Sequence, residues 1–541
     1  MKDISSTASF VDFTLENFIY VDKTEYIPKL VKLKRVFISR PSRFGKSLTL
    51  DTIGTLFEKG VEPYFKDTWI YDKWTEPTYP VFRLSFLNLD NSSLDLFKKQ
   101  LNSISSEFAN KINVKGYVEK TEPEDSILSL LEKLEEETRQ IVILIDEYDY
   151  QLTSNINHDE LYKQFQQKIK RIYANIKDKF AIKFLGITGV TRLKDVEIFS
   201  IGSDINDITN DSAYSQMIGF TRDEIKKYYI DYLKLAASYE NKCRVEEVTD
   251  TQIESMLDMM AQNYDGYCFD EFYKKKVFST WSVNSFFQSI VENKFVFFDE
   301  YWYDNGGLPS ILVNYLKTHE LNIFEYLDKD KFLKVSSDDF KNPTALTTIN
   351  QNVLMCQTGY LTLRSDLKKS STVLLGIPNG EIYKALNRLL ANNIFKGKAD
   401  VTDDQGKNLL EEGTVDDIIN LFNRALNSVS YDNYPIVSES SVQNMLKLYL
   451  LGAHQEVLSE VHEAKGRADL IVNTDIRRIV FEFKYAQNES EAKTKLSEAV
   501  EQIKSRDYGN ILPKKHELLR IAAVFNADPK VRAFTENQIV P

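Results

Sequence analysis

Arg35-Val-Phe-Ile-Ser39 runs straight into Arg40-Pro-Ser-Arg-Phe-Gly-Lys-Ser47 and then into Leu48-Thr49-Leu50. The first five residues read as a strand and the stretch after Ser47 as the start of a helix. A strand, a tight turn and a helix N-terminus in that order cradle phosphate oxygens with backbone N–H groups. A Lys then meets the outer phosphates and a hydroxyl meets Mg2+. Gly45, Lys46 and Ser47 fill those last three positions. Arg40 stands where G-x-x-x-x-G-K-[ST] begins, so the turn must be entered there without a positive φ. The plain alternative is a helix start with a solvated lysine.

A second stretch answers the first. Ile141-Val-Ile-Leu-Ile145 is apolar throughout, as in a strand covered on both faces of a parallel sheet, and it ends in Asp146-Glu147. At the tip of such a strand Asp146 can hold Mg2+, and Glu147 can orient and polarise an attacking water. Phe184-Leu-Gly-Ile-Thr188 reads as a neighbouring strand whose Thr188 would sense a terminal phosphate. Arg192 and Arg43 are candidates to meet transition-state charge, with surface solvation or a structural ion pair as the alternative for each. Val81 to Phe86 reads as a further strand, and Asp125 to Arg139, with leucines at i, i+3 and i+4 among glutamates, as a helix. Strands alternating with helices give an α/β fold of the P-loop NTPase kind, built on a parallel sheet.

The rest of the chain constrains the reading. Its 541 residues suggest two or three domains, and 43% hydrophobic with 27% charged residues exclude wholesale disorder. A net charge of −12 argues against a surface that clings everywhere to nucleic acid, so any such contact must use a local patch. Three scattered cysteines and five scattered histidines form neither a disulfide framework nor a zinc motif. No apolar leader or run of about 18 apolar residues occurs, so a soluble, cytoplasmic protein without membrane contact is expected. The texture places a first domain at 1–220, a helical stretch at 221–310, a helical middle region at 311–400 and a second α/β unit at 401–541.

That last unit holds a second constellation. Arg467 to Asn473 and Arg478 to Tyr485 read as two strands around the turn Thr474-Asp-Ile-Arg477. An antiparallel hairpin centred between Asp475 and Ile476 puts Asp469 opposite Glu482, and Lys484 on the same face as Glu482. Ile479, Phe481 and Phe483 then point into the core. Facing carboxylates repel unless a positive charge sits between them, and Mg2+ fits, with Lys484 placed to position or deprotonate a water for attack on a phosphodiester. An ordinary solvated hairpin face is the alternative. Gly466 and Arg467 precede the strand, Gln502 and Tyr508 follow on a helix, and Glu460 or Glu463 could add a carboxylate. From residue 461 onward there are 14 basic and 12 acidic residues, so the acidity of the chain lies upstream.

The chain resembles a two-part family of predicted AAA-ATPase-like proteins with a C-terminal PD-(D/E)XK nuclease-like domain. The likeness rests on Tyr20-Val-Asp-Lys-Thr24, Phe37 to Leu48, Ile145-Asp-Glu-Tyr-Asp149, Thr188-Gly-Val-Thr-Arg192, Gly219-Phe-Thr221, Tyr264-Asp-Gly-Tyr267, Gly466-Arg-Ala-Asp469 and Phe481-Glu-Phe-Lys484. It implies a P-loop ATPase core at 1–220, a helical lid at 221–310, the middle region, and a restriction-endonuclease-like α/β domain at 401–541. By motif match, Asp469 would be the metal-binding Asp and Glu482 with Lys484 the E-x-K pair. The implied cofactors are ATP and Mg2+, and the implied partners are ATP, DNA at the C-terminal domain and, by analogy with AAA rings, further copies of the chain. An ATPase whose nucleotide state controls a Mg2+-dependent nuclease is the leading expectation. A nucleotide-switched interaction protein with a silent nuclease fold is the alternative, and a DNA-independent protein-remodelling ATPase leaves the hairpin triad unexplained.

Overall fold

The computed structural model describes the chain except residues 194–204, 305–309, 318, 320, 321, 344, 396–403, 454, 464, 465 and 510–515; for 303, 304, 310, 404, 405, 456, 459–463, 466 and 467 it describes the backbone alone. Two compact units result, one of residues 1–321 and 332–382, the other of 322–331 and 383–541. Among the described residues no helix is long and apolar enough to cross a membrane.

The first unit is built on strands β1 (Arg35–Ser39), β2 (Val81–Ser85), β3 (Ile141–Asp146), β4 (Ile182–Gly189) and β5 (Asn206–Asp207). They form one sheet in the order β2-β3-β4-β1-β5, and every pairing is parallel. Parallel strands need crossover connections that cover both sheet faces. That is why β1 is buried at all five positions and β3 at its first five. Helices α1 (Ile27–Leu33), α2 (Lys46–Lys59), α3 (Pro123–Glu136) and α4 (Asp159–Ile176) belong to this layer. Pro123 opens α3, where a missing N–H costs nothing, and its leucines at 130, 131 and 134 are fully buried.

Helices α5 (Arg222–Tyr228), α6 (Ile230–Asn241), α7 (Asp250–Tyr264) and α8 (Thr280–Asn293) follow in the same unit. Thr221 with Glu224 and Thr249 with Gln252 form capping boxes that fix where α5 and α7 begin. The helices share a core of Leu233, Met256, Leu257, Phe286 and Phe287, which Ile19 and Val21 of the N-terminal segment join. Gly219 and Gly266, from two of the motifs quoted above, both hold left-handed backbone (φ +103° and +97°). A Cβ would lie 2.6 Å from Val277 Cγ2 at the first and 2.3 Å from the Pro378 carbonyl oxygen at the second. Only glycine fits either place.

The middle of the chain departs from the helical expectation. Strands β6 (Leu333–Ser336), β7 (Thr362–Leu363) and β8 (Thr372–Gly376) make a small antiparallel sheet in the order β6-β8-β7. They are two to five residues long, too short to show a period against helical surroundings.

The second unit carries a mixed sheet of β9 (Glu456–Glu463), β10 (Gly466–Asn473), β11 (Arg477–Ala486), β12 (Glu517–Asn526) and β13 (Ala533–Ile539), ordered β13-β12-β11-β10-β9. β10 and β11 are an antiparallel hairpin, whereas β11 and β12 run parallel across helix α11 (Glu489–Arg506), so α/β is the class of both units. Helices α9 (Val415–Asn427) and α10 (Glu439–Gly452) precede the sheet. One face packs Val480 and Ala522 against Ala499 and Ile503 of α11. On the other, Phe481 and Phe483 meet Phe422 of α9 and Phe534 of β13, with ring centroids 5.3 and 5.6 Å apart. Ile479, Phe481 and Phe483 are core residues, as the hairpin reading requires, but the opposite face is covered as well.

Candidate functional site

Two places bring the sequence-derived residues together. The first is a cavity of about 280 Å³ where Arg43, Gly45, Lys46, Ser47 and Glu147 line one side. Arg40 enters the loop without a positive φ; the left-handed residues are Arg43 (φ +66°) and Gly45 (φ +100°), and a Cβ on Gly45 would meet only open space. The Lys46 ammonium is buried and donates to the carbonyls of Arg40 (3.0 Å) and Pro41 (3.1 Å). Burial holds its pKa below the ordinary value against the charges of Glu147, Asp146 and Asp149.

Asp146 and Thr188 do not line the cavity. They face each other from adjacent strands, with the Thr188 hydroxyl donating to Asp146 Oδ1, which also accepts the Glu147 N–H at 3.0 Å. Glu147 sits in left-handed backbone (φ +50°), and burial raises its carboxyl pKa. Asp149, buried two residues on, accepts from the Thr191 N–H (2.6 Å) and hydroxyl (2.5 Å), while Tyr148 donates to the Thr191 carbonyl at 3.1 Å. These bonds explain why the Asp-Glu-Tyr-Asp and Thr-Gly-Val-Thr segments belong together. Arg192 ion-pairs with Asp207 and donates to the Lys341 carbonyl, the structural role weighed for it from sequence.

Arg43 lies with its guanidinium 4.5 Å from the Trp281 ring at the start of α8, its carbonyl held by the Thr280 hydroxyl at 2.8 Å. Its buried NH1 nitrogen has no hydrogen-bond partner. A half-buried guanidinium with a buried, unpaired nitrogen, lining the same cavity as a buried lysine, suits an anionic occupant, so these residues fit the phosphates of a nucleotide. The opposite wall is apolar and the sequence reading gives it no role: Tyr20, Val21, Ile218, Phe220 and Tyr229. The signal was present as the motifs around Tyr20 and Gly219. Lys23, from the first motif, donates to the Gln216 carbonyl (2.7 Å) and to Glu224 of α5 (2.6 Å), tying that wall to the helices.

Behind Trp281 lies Glu381, fully enclosed, accepting from the Ser282 hydroxyl (2.7 Å) and the Trp302 N–H (2.8 Å). Burial pushes its pKa up to about 8 from 4.5. A folded-state value above the unfolded one means the carboxyl costs nothing below about pH 4.5 and destabilises progressively as pH rises through 8. The Tm of the protein should therefore fall between pH 5 and 9, and Glu381→Gln should flatten that fall. Parallel wild-type and variant profiles in a thermal-unfolding series would show that the fold accommodates the ionised form.

The second place is the hairpin. Leu470 pairs with Phe481 and Ile471 with Val480, the register expected from the turn; the ladder ends there, and Asp469, one residue beyond it, is near enough to Glu482 for its charge to act on that carboxyl. Asp469 Oδ2 accepts the Phe483 N–H at 2.8 Å, and Lys484 donates to Glu482 Oε1 at 2.8 Å. The solvated-face alternative does not describe this arrangement, because Glu482 is fully buried. Burial, then the charge of Asp469, pushes the Glu482 carboxyl up to about 7 against the opposing Lys484. Burial raises Asp469 as well. Burial works against the Lys484 charge, but Glu482 and its neighbours outweigh it and raise that pKa.

Two residues come from a place that the hairpin pattern cannot reveal. Glu439, at the start of α10, lies 3.4 Å from Lys484 Nζ, and Gln443, one turn later, hydrogen-bonds Asp469. Glu460 and Glu463 fall among the residues whose side chains are not described. Gln502 and Tyr508 are 3.4 Å apart, and Tyr508 is in the core. Lys484 supplies the positive charge that two carboxylates need, so electrostatics alone does not demand a cation. Among the described residues, no group of three or more His, Cys, Asp or Glu is arranged to hold a metal. Glu482 Oε2 is nonetheless buried without a hydrogen-bond partner, and an orphaned carboxylate oxygen beside Asp469 fits a hard divalent ion.

Residues 5–199 match the family described as Predicted AAA-ATPase, and residues 437–534 match the PD-(D/E)XK nuclease superfamily. Along nearly its whole length the chain is similar to the "Uncharacterized protein in vnfD 5'region" of Azotobacter chroococcum mcd 1, with 25% identity over 535 residues, 95% of this chain and 94% of that protein. Among solved structures it is similar to Cdc6p from Pyrobaculum aerophilum (11% identity, TM-score 0.23, 68% of this chain and 93% of that one). The Aeropyrum pernix ORC1 protein in complex with DNA is another (10% identity, TM-score 0.27, 71% of this chain and 98% of that one).

Proposed function

We propose that this chain, AAA-ATPase-like at its start and PD-(D/E)XK-like at its end, binds and hydrolyses ATP and uses its nucleotide state to control a Mg2+-dependent nuclease acting on DNA. One observation carries the reading: each unit sets a lysine among carboxylates, the buried Lys46 with Glu147, Asp146 and Asp149, and the half-buried Lys484 with Glu482 and Asp469. Lysine beside carboxylates in an enclosed site suits the capture and cleavage of phosphate linkages.

In the first unit Arg43, Gly45, Lys46 and Ser47 would hold the triphosphate, with Ser47 meeting its Mg2+ directly and Asp146, which does not line the cavity, through water. Thr188, bonded to Asp146, would report the terminal phosphate. Glu147, whose raised pKa makes it a better proton acceptor, would take the proton of the attacking water. Glu147→Gln should retain ATP affinity within a few-fold and slow hydrolysis by about 10²-fold or more, the usual size of a general-base contribution. Full turnover in a phosphate-release assay would assign that proton to another group.

In the second unit Asp469 and Glu482 would hold Mg2+, which when bound neutralises phosphate charge and lowers the pKa of a water. Lys484 Nζ would orient that water or donate to the scissile phosphate, and Phe483 N–H keeps Asp469 aimed. The runner-up, a nucleotide-switched interaction protein, draws support from the Lys484–Glu482 bond, which balances the site without metal. The deciding experiment is a cleavage assay on single- and double-stranded DNA with Mg2+ or Mn2+, with and without ATP, comparing wild type with Asp469→Ala. Cutting that the variant loses supports the nuclease; no cutting of any substrate leaves the interaction protein.

A further inference from the structure

At the end of the parallel sheet away from the phosphate loop, around the first residues of β1, β3 and β4, lies a cavity of about 680 Å³. Six cations line it: Lys32, Lys34, Arg35, Lys73, Lys179 and Lys183. The lining acids are two, Glu76 and Asp178. In a chain with 68 basic and 80 acidic residues this is a local reversal of charge. Lys183 pairs with Glu76 (2.6 Å), Lys73 with Asp72 (2.5 Å) and Lys179, loosely, with Glu132 (3.8 Å). Lys32 and Lys34 have no ion-pair partner among the described residues, and both are exposed.

The rim also carries an aromatic ring in the open. Phe180 is 65% exposed, although a side chain of that size is ordinarily buried. Its turn is not a loose end. Gln140 donates to the Phe180 carbonyl (2.9 Å) and Arg35 to the Lys179 carbonyl (3.1 Å), so side chains at the starts of β3 and β1 hold the turn in place. Trp74 and Ile182 add apolar wall beneath it.

A cationic concavity with a fixed, exposed aromatic ring matches the two requirements for holding a single nucleic-acid strand: charge for the phosphates and a platform for an unstacked base. The volume suits one or two nucleotides rather than a duplex. We propose that this cavity of the first unit binds single-stranded nucleic acid, with Lys32 and Lys34 on successive phosphates and Phe180 stacked on a base. The assignment stands whether or not the C-terminal unit cleaves, and gives the ATPase unit its own contact with a polynucleotide.

The test is fluorescence anisotropy of a labelled single-stranded 20-mer with the full chain in EDTA, across a salt series. Lys32→Glu with Lys34→Glu should weaken binding by about 10-fold or more at 0.1 M salt and lower the salt slope by about 1.4, two phosphate contacts at about 0.7 each. Phe180→Ala should weaken binding about 5- to 150-fold with the slope unchanged. All three positions are exposed, and unchanged ATP binding and Tm check the fold of the variants. Unaltered affinity in both variants overturns the proposal. So does equal binding of a duplex with no effect of Phe180→Ala. Tight binding of tripolyphosphate that the lysine variant loses, with the 20-mer unaffected, overturns it in favour of a small polyanion.

Discussion

Lys46→Ala should abolish measurable ATP binding, weakening it by at least about 100-fold, because the ammonium is a buried cation lining the cavity proposed to hold the phosphates. A charge-assisted hydrogen bond contributes about 1.5–3 kcal/mol, and a lysine meeting two phosphates makes more than one. The loop is built around this side chain. Its ammonium is bonded to the carbonyls of Arg40 and Pro41, and Glu147, Asp146 and Asp149 surround it with negative charge. The substitution therefore removes the phosphate contact and leaves acidic groups uncompensated, so affinity falls for two reasons. Calorimetric titration with a non-hydrolysable ATP analogue measures the loss, and a thermal melt of the variant shows that the fold survives. Wild-type affinity would refute the phosphate-loop assignment.

Asp469→Ala should remove metal-dependent cleavage of DNA while leaving ATP hydrolysis unchanged. The carboxylate does two jobs at this position. It acts by its charge on Glu482, its partner in the pair that would hold an ion, and it accepts the Phe483 N–H that fixes the strand beside Lys484. Alanine loses both and leaves a backbone donor unsatisfied, at about 1–3 kcal/mol. Asp469→Asn separates the two, because its amide oxygen can still accept the Phe483 N–H while the negative charge is gone. Cleavage lost in both variants assigns the charge as the essential property. Cleavage kept in Asp469→Asn would mean that the residue only shapes the strand.

The parts of the fold that rest on local pattern were legible in the sequence. β3 is apolar from Ile141 to Ile145, and β1 apolar from Val36 to Ile38, because helices cover both sides of their sheet, and that burial leaves a mark on consecutive residues. The hairpin register followed from a short turn, since a tight connection leaves few ways to pair the strands it joins. Parts that depend on distant segments were not legible. Glu439 and Gln443 reach the Asp469 and Lys484 region from a helix that begins some thirty residues earlier. The apolar wall at Tyr20 and Phe220 forms only when the N-terminal segment and the α5 region close on the same cavity. Glu482 was legible as a strand residue facing Asp469, but its complete burial was not, because α10 and α11 cover a face that the hairpin alone leaves open.

β11 is the central strand of its sheet, bonded parallel to β12 along its full length and antiparallel to β10 from Arg478 to Phe481. Glu482 and Lys484 stand just past the last β10 pair, where β12 holds one edge of the backbone and the Asp469 carboxylate, on the Phe483 N–H, holds the other. Local opening of β10 would therefore withdraw Asp469 from the other two residues, while Glu482 and Lys484, two apart on one strand, stay together.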